Sequence, residues 1–421
     1  MVKQRTAEII STGTEIMLGL YPDTNAQRIS SILWQTGISV LFHTATGDRR
    51  ECLVTALKTA LERAEIIIIT GGLGPTEDDL TRSVVSELFQ APLQKDTHAE
   101  KMILEHFSKR KIPMPPSNLI QAMIPAKAFP IYNRIGTAPG FILHNTKRNK
   151  ALIALPGPSR EWSPMFKDIV YPFLKKHFSS QNVYKTLTLR TVGIPESEIN
   201  ERIMPLFKTI KGVIPALLAK PGKVDIRLLA TASTNKKALS MLRQARSKVL
   251  LSIDSSDIYG ESDTISLEEA VAKLLTSKGK TLSVAESCTG GLISKRLTDI
   301  AGSSAFFIEG ALTYSNDAKI RRLCVSKTVL QNYGAVSGEV ASEMARGVLS
   351  GTGADISVAV TGIAGPTGGT AEKPVGLVFF GLATCDFMFS CRKCYTGDRS
   401  IIRERAADYA LELIRRYLLS A

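Results

Sequence analysis

Residues 66–69 are four consecutive isoleucines, framed by Glu65 and Thr70. A run that is apolar on both sides suits a buried parallel strand, which needs helices over both faces of its sheet. The surrounding sequence supplies them. Ala7 to Thr12 reads as a strand, and Asp23 caps a helix running to about Gln35. Ile38 to Thr44 is the next strand, and Arg50 to Ala64 carries apolar residues at helical spacing. After the isoleucines come Gly71-Gly72-Leu73-Gly74-Pro75-Thr76-Glu77-Asp78-Asp79 and a helix to Phe89. Alternating strands and helices predict a doubly wound α/β domain.

In open α/β sheets ligands bind beyond the carboxyl ends of the strands. Two loops leave this domain there, Gly13-Thr14-Glu15 and Gly71 to Asp79. Glycines allow phosphates to approach the backbone, and Glu15, Asp78 and Asp79 are hard oxygen ligands of the kind Mg²⁺ uses beside a phosphate. The competing reading places the acids in the first turn of a helix, where the dipole favours them. The length of the glycine and proline loop favours a site. A third glycine-rich loop, Gly136 to Phe141, precedes a hairpin across Thr146 to Lys150. Ala151 to Leu155 is a strand closed by Pro156-Gly157-Pro158-Ser159, and the domain ends near Lys176.

From Val183 the pattern changes to a small α+β unit, spanning 177–254. Its strands are Tyr184 to Val192 and Lys223 to Thr231. Its helices are Glu196 to Leu206 and Lys236 to Leu251. The polar segment that follows, 255–265, reads as a linker. The last domain, 266–421, contains a second strand, turn and helix: Thr281-Leu-Ser-Val-Ala-Glu-Ser-Cys-Thr-Gly-Gly291, then Leu292 to Leu297. This geometry exposes a side chain at a sheet's carboxyl end, here Ser287. Gly290 and Gly291 leave room for a ligand, and the free N–H groups of the helix start favour an anion. An N-cap serine opening an ordinary helix is the plainer alternative.

All five histidines precede this domain, so Ser-His-Asp chemistry is excluded there. A serine nucleophile needs another base, and a lysine with a depressed pKa can serve. Lys319, in Tyr314-x-Asn-x-x-Lys, is the candidate; a solvated helix lysine is the ordinary alternative. The chain's length, 421 residues, implies two or three domains. Its net charge of +14 is diffuse, which suits anionic small substrates without defining a nucleic-acid site. No apolar run approaches bilayer length, Met1 to Thr12 reads as a strand and not a leader, and the six cysteines form no disulfide framework; a cytoplasmic setting is expected. Cys391-Arg-Lys-Cys394 lacks the further ligands that zinc needs.

Two sets of motifs resemble known families. Ala285-Glu-Ser-Cys-Thr-Gly-Gly291, Tyr314-Ser-Asn-Asp-Ala-Lys319, Gly334-Ala-Val-Ser337, Val360-Thr-Gly-Ile-Ala-Gly-Pro366, Glu372-Lys-Pro-Val-Gly376 and Gly397-Asp-Arg399 resemble the CinA C-terminal family. Those domains are nicotinamide mononucleotide deamidases. Gly13-Thr-Glu15, Thr70 to Thr76 with Asp78-Asp79, and Gly136-Thr-Ala-Pro-Gly140 resemble the CinA N-terminal domain, which has a MogA-like, molybdopterin-binding fold. The resemblance covers the whole chain in order. It implies a three-layer N-terminal domain (1–176), the small middle domain and an α/β deamidase domain, in a cytoplasmic homodimer without membrane partners.

The resemblance further implies two activities. In the C-terminal domain it points to Ser304, in the Gly-Ser-Ser turn, as nucleophile, with Lys319 as base and Ser287 assisting. Reading the residues alone prefers Ser287. Tyr314 would orient the pair, and Thr361 would contact the substrate or oxyanion. Arg399 would bind the nucleotide phosphate, with Arg403 as alternate, and Gly290, Gly291 and Gly365 would border the substrate; this site needs no cofactor. The N-terminal domain would hydrolyse ADP-ribose to AMP and ribose 5-phosphate. Glu15, Asp78 and Asp79 would lie on a divalent metal such as Mg²⁺ or Co²⁺, with K⁺ as a further ion. Gly71, Gly72, Gly74, Thr76 and Thr137 would cradle phosphate. The chain departs from the family at Pro156-Gly157-Pro158-Ser159-Arg160-Glu161. Competing readings are a single active domain, a competence or DNA-damage accessory protein, and a molybdopterin-binding module.

Overall fold

The computed structural model describes residues 5–178 and 182–420. The part of the expected first strand that falls on residues 1–4 lies outside the described residues. The chain divides into two compact units, Met1–Lys185 with Thr231–Ala238, and Thr186–Ala230 with Leu239–Ala421.

The first unit contains Arg5–Thr12 (β1), Ile38–Thr46 (β2), Ile66–Thr70 (β3), Leu93–Lys95 (β4), Met123–Pro125 (β5), Phe129–Ile131 (β6), Gly140–Asn145 (β7) and Lys150–Leu155 (β8). Six strands form one sheet in the order β2-β1-β3-β8-β7-β6, while β4 and β5 pair separately. The first four run parallel and the last two antiparallel. The isoleucine run explains the layers. Ile66 and Ile68 pack on one face, in a core with Ile29 and Leu33 of the helix Thr24–Gln35 and with Trp162. Ile67 and Ile69 pack on the other, with Leu57 of the helix Arg50–Arg63 and Val84 of the helix Thr81–Leu88. Successive residues of a strand face opposite ways, so one apolar run serves two cores. Asp23 caps its helix as expected, accepting from the Ala26 amide at 2.9 Å.

A second sheet, most of it in the second unit, is made by Val183–Val192 (β9), Val213–Lys220 (β10), Lys223–Ala232 (β11) and Ile258–Gly260 (β12) in the order β10-β11-β9-β12. Two features differ from the sequence expectation. The segment read as a linker carries β12, which pairs with β9 and buries Tyr259. Strand β10 was not anticipated; Pro215 interrupts its pattern, and the strand sits at the sheet edge, where proline is tolerated.

The last domain contributes Leu282–Glu286 (β13), Phe307–Leu312 (β14), Ile356–Gly362 (β15), Leu377–Ala383 (β16) and Met388–Cys394 (β17), ordered β14-β13-β15-β16-β17. Here too helices cover both faces. Val284, Val358 and Val360 pack with the closing helix Arg399–Ser420, and Ala285 and Ala359 pack with Val340 and Met344 of the helix Gly338–Thr352. The fold is therefore mixed α/β, with a three-layer domain at each end of the chain. The helix Leu267–Ser277 opens with a capping box between Ser266 and Glu269. Replacing Ser266 with alanine leaves one helix-start amide unpaired, and full-chain thermal unfolding should report a loss of about 1 kcal/mol. No helix among the described residues is long and apolar enough to cross a membrane.

Candidate active site

The second strand–turn–helix forms as expected, but its turn is built differently. Glu286, the last residue of β13, is 1 % exposed. Its carboxylate accepts from the amides of Gly291 (3.0 Å), Ile293 (3.2 Å) and Ser294 (2.8 Å) and from the Ser294 hydroxyl (2.7 Å). The anion site expected at this helix start is thus filled by the chain's own carboxylate, which meets both the orphan amides and the dipole. Gly290 and Gly291 have φ of 63° and 89°, conformations that side chains rarely adopt. A Cβ on Gly290 would also lie 3.0 Å from Arg403 Nη2. Arg403 holds the turn by donating to the Thr289 carbonyl at 2.6 and 3.2 Å.

Ser287 emerges from this turn, nearly buried, with its amide bonded to Val360 O at 3.0 Å. Its Oγ lies 3.1 Å from Lys319 Nζ. Lys319 is 1 % exposed and its Nζ also donates to the carbonyls of Thr313 (2.9 Å) and Tyr314 (3.2 Å). It has no ion-pair partner among the described residues. Burial pushes its amine below the ordinary lysine value. A neutral amine here would give its two N–H bonds to the two carbonyls and turn its lone pair to the Ser287 hydroxyl. Cys288, next in sequence, is no rival nucleophile, because burial pushes its thiol up to about 12.

Ser304 is not brought to Lys319, contrary to the family-based expectation. It sits exposed in the turn Ser303–Ala305. That turn enters β14, whose preceding residue Phe306 accepts from the Leu282 amide at 2.7 Å. Ser287 follows Glu286, which pairs with Leu312 at the other end of β14. The strands run parallel, so the two serines occupy opposite edges of the sheet, about 16 Å apart at roughly 3.3 Å per residue.

The remaining expected residues divide. Tyr314 is 62 % exposed and its hydroxyl accepts from Arg399 Nη2 at 3.4 Å. Arg399 also donates to Gly365 O at 2.7 Å, so it ties the Gly365 loop to Tyr314 at the rim of the site. Thr361 is turned inward: its hydroxyl is 1 % exposed with the residue and donates to Ala335 O at 2.7 Å. It fixes the Gly334 to Ser337 loop, and its expected contact with substrate is not available.

In the N-terminal domain the glycine loops gather at the carboxyl edge of the parallel strands. The Gly71 amide donates to Leu155 O and that of Gly13 to Thr46 O, both at 3.0 Å. The helix after the loop starts at Thr81 with Leu80 as its cap, so Glu77, Asp78 and Asp79 are loop residues and do not occupy its first turn. Asp79 accepts from the amides of Gly74 (2.7 Å) and Thr76 (2.9 Å) and from the Thr76 hydroxyl (2.5 Å). Buried Arg82 donates to the carbonyls of Leu73 and Gly74 from the other side, and burial lowers its guanidinium to about 10. Asp79 therefore shapes the loop and is not free to ligate a metal. Gly71, Gly72 and Gly74 pack so closely on Thr12, Thr81 and Asp79 that a Cβ would fall within 2.5 Å of each. Thr137 lies on the loop that Asn133 and Glu161 secure, with Asn133 Nδ2 donating to Ala138 O (3.1 Å) and Glu161 Oε2 (2.8 Å).

Asp78 instead shares a narrow cleft with Asp48, which the sequence reading did not single out. Thr76 holds the Asp78 carboxyl below its usual range, while Asp48 accepts from the amide and hydroxyl of Thr14, both at 2.8 Å. Glu15 is exposed and curls over Gly13. Among the described residues no three His, Cys, Asp or Glu side chains are grouped closely enough to hold a metal by themselves. Asp48 and Asp78 are oxygen donors of the kind a Mg²⁺-like ion uses together with water and phosphate, and Arg49 lines the same cleft.

Family models match all three regions: "Probable molybdopterin binding domain" over residues 8–176, "Damage-inducible protein CinA KH domain" over 186–260 and "CinA C-terminal domain" over 264–418. A protein of Caldicellulosiruptor saccharolyticus, whose name refers to competence and damage induction, is 44 % identical over 414 residues, covering 98 % of this chain and 99 % of its own. A CinA-like protein of Dictyoglomus thermophilum is also 44 % identical, over 98 % of this chain and 99 % of its own. Among solved structures, the competence/damage inducible protein CihA of Agrobacterium tumefaciens is 44 % identical over 36 % of this chain and 95 % of its own, with a TM-score of 0.35. With full-length relatives at this identity and all three models in order, the chain belongs to the CinA family.

Proposed function

We propose that the C-terminal domain is a Ser/Lys amidohydrolase that deamidates nicotinamide mononucleotide. The observation that carries this reading is the buried Lys319 amine, without a counter-charge, set against the Ser287 hydroxyl. The neutral amine takes the hydroxyl proton as Ser287 Oγ attacks the carboxamide carbon. Lys319 returns its proton to the leaving nitrogen, the C–N bond breaks and ammonia departs. Water then attacks the acyl-serine ester, giving nicotinate mononucleotide and restoring Ser287. Tyr314 and Arg399, exposed at the rim, suit the ribose phosphate.

The test is ammonia release from nicotinamide mononucleotide by the full chain, followed against pH. The active form carries neutral Lys319, so turnover should rise with pH, with a midpoint below the ordinary lysine value of 10.5. No turnover at millimolar substrate, or a rate independent of pH, would remove the reading.

For the N-terminal domain the proposal is a divalent-metal-dependent pyrophosphatase acting on ADP-ribose. Asp48 and Asp78 would hold the metal, which would offset charge on the pyrophosphate. The backbone of the Gly71 to Thr76 loop would face the phosphates, braced by Asp79 and Arg82. Asp78→Ala should reduce AMP release from ADP-ribose at least a hundredfold and leave deamidation intact. Equal AMP release by variant and wild type would show that Asp78 is not a metal residue. A nucleic-acid role has the KH-type match and the +14 charge in its favour. The glycines of that segment are 193, 212, 222 and 260, which do not form the G-x-x-G clamp of nucleic-acid-binding KH domains.

A further inference from the structure

The second unit contains a half-open cavity of about 620 Å³ between the middle sheet and the last domain, lined by residues 192–196, 219, 220 and 222–224 on one side and by 393–395 and the closing helix on the other. Neither Ser287 nor Lys319 lines it. Its size falls in the range of small-molecule sites, roughly 300–1,000 Å³.

Its chemistry is selective. Most charges around it are already neutralised. Lys220 pairs with Asp225 at 3.0 Å, Lys223 and Arg296 pair with Asp408 at 2.7 and 2.9 Å, and Arg415 and Arg416 pair with Glu412, both at 2.7 Å. Among the described residues two cations of the lining remain without a carboxylate, Lys393 and Arg405, against one carboxylate without a cation, the exposed Glu196 at the cavity rim. Each lies over an aromatic ring: Lys393 Nζ is 5.0 Å from the centre of Tyr409, and the Arg405 guanidinium carbon is 5.0 Å from that of Tyr395. Arg405 Nε and Tyr395 Oη are buried and have no hydrogen-bond partner. Orphaned buried polar atoms are rare in folded proteins, because each forfeits the hydrogen bonds it had with water. Both atoms are closed to solvent behind the cavity wall, so the cavity offers a ligand the two unpaired cations and the rings beside them.

We propose that this cavity binds a nucleoside monophosphate, at a site separate from both catalytic centres. The phosphate takes the charge of Lys393 and Arg405. The base lies against Tyr395 and Tyr409, beside the two cations that cover one face of each ring. An inorganic anion would leave most of the volume unfilled, and a neutral aromatic molecule would leave the two cations unmatched.

The experiment is equilibrium dialysis of the full chain with radiolabelled AMP as the probe. Wild type is compared with Lys393→Ala, with Lys393→Ala/Arg405→Ala and with Lys319→Ala. Lys393 is on an exposed strand, so its single variant tests the site even if the double variant folds poorly. The expected result is that Lys393→Ala weakens one class of AMP site about tenfold, the scale of one lost charge-assisted contact. The double variant should abolish that class, and Lys319→Ala should bind as wild type. No saturable binding by wild type up to about 1 mM, unchanged binding in Lys393→Ala, or a loss that follows Lys319→Ala would overturn the proposal.

Discussion

Lys319→Ala and Ser287→Ala should each lower ammonia release from nicotinamide mononucleotide by at least about a thousandfold, while Ser304→Ala should stay within a few-fold of wild type. The size follows from the roles. Removing a nucleophile, or the base that activates it, leaves only binding and oxyanion contributions, and such units lose most of their rate when one member goes. The pattern follows from the geometry. Ser287 Oγ is 3.1 Å from Lys319 Nζ, whereas Ser304 lies beyond the opposite edge of the sheet. The double variant Ser287→Ala/Lys319→Ala should be no slower than either single variant, because the two act as one unit. Circular dichroism and thermal unfolding accompany the kinetics, since removing the Lys319 stem from a buried site opens a void. Loss of turnover in Ser304→Ala with activity retained in Ser287→Ala would return the nucleophile to the Gly-Ser-Ser turn.

Much of this site was legible in the sequence, and the parts that were not share a cause. The strand ending at Glu286, the glycine pair and the Tyr314-x-Asn-x-x-Lys run are local signals, and each formed where expected. The residues alone preferred Ser287 as the partner of Lys319 and the family resemblance preferred Ser304; the choice between them spans 32 positions for Ser287 and depends on which end of its strand each element leaves, which no local pattern carries. The same limit hid Asp48, which belongs to the loop after β2 and becomes relevant only because that loop abuts Asp78. Asp79 and Thr361 had the right residue types in the right loops, yet their side chains are spent on the backbone, Asp79 on Gly74 and Thr76 and Thr361 on Ala335. An acid that ligates and an acid that braces a loop look alike until their partners are known. Layering was easier to read, because two-sided burial of the isoleucine run leaves few architectures open.

Glu286 is where stability and function should be lost together. Its carboxylate is enclosed and satisfies three backbone amides and one hydroxyl at the turn that presents Ser287. Glu286→Ala would leave these donors buried without acceptors and also open a cavity, at a cost of about 3–5 kcal/mol. Glu286→Gln separates the two effects. The amide keeps the shape but offers one acceptor oxygen where the carboxylate has two. Its NH₂ must then face either the Gly291 and Ile293 amides or the Ser294 amide, donor against donor, and only the Ser294 hydroxyl can turn to accept from it. Thermal unfolding of the full chain should show a loss of about 2 kcal/mol for Glu286→Gln, less than for the alanine variant. Turnover should fall well beyond what that loss explains at a temperature where the variant is still folded, because the helix start that fixes the Ser287 turn is no longer held in one place. Turnover equal to wild type in folded Glu286→Gln would mean that the turn is held by Arg403 and the Ser287 amide alone.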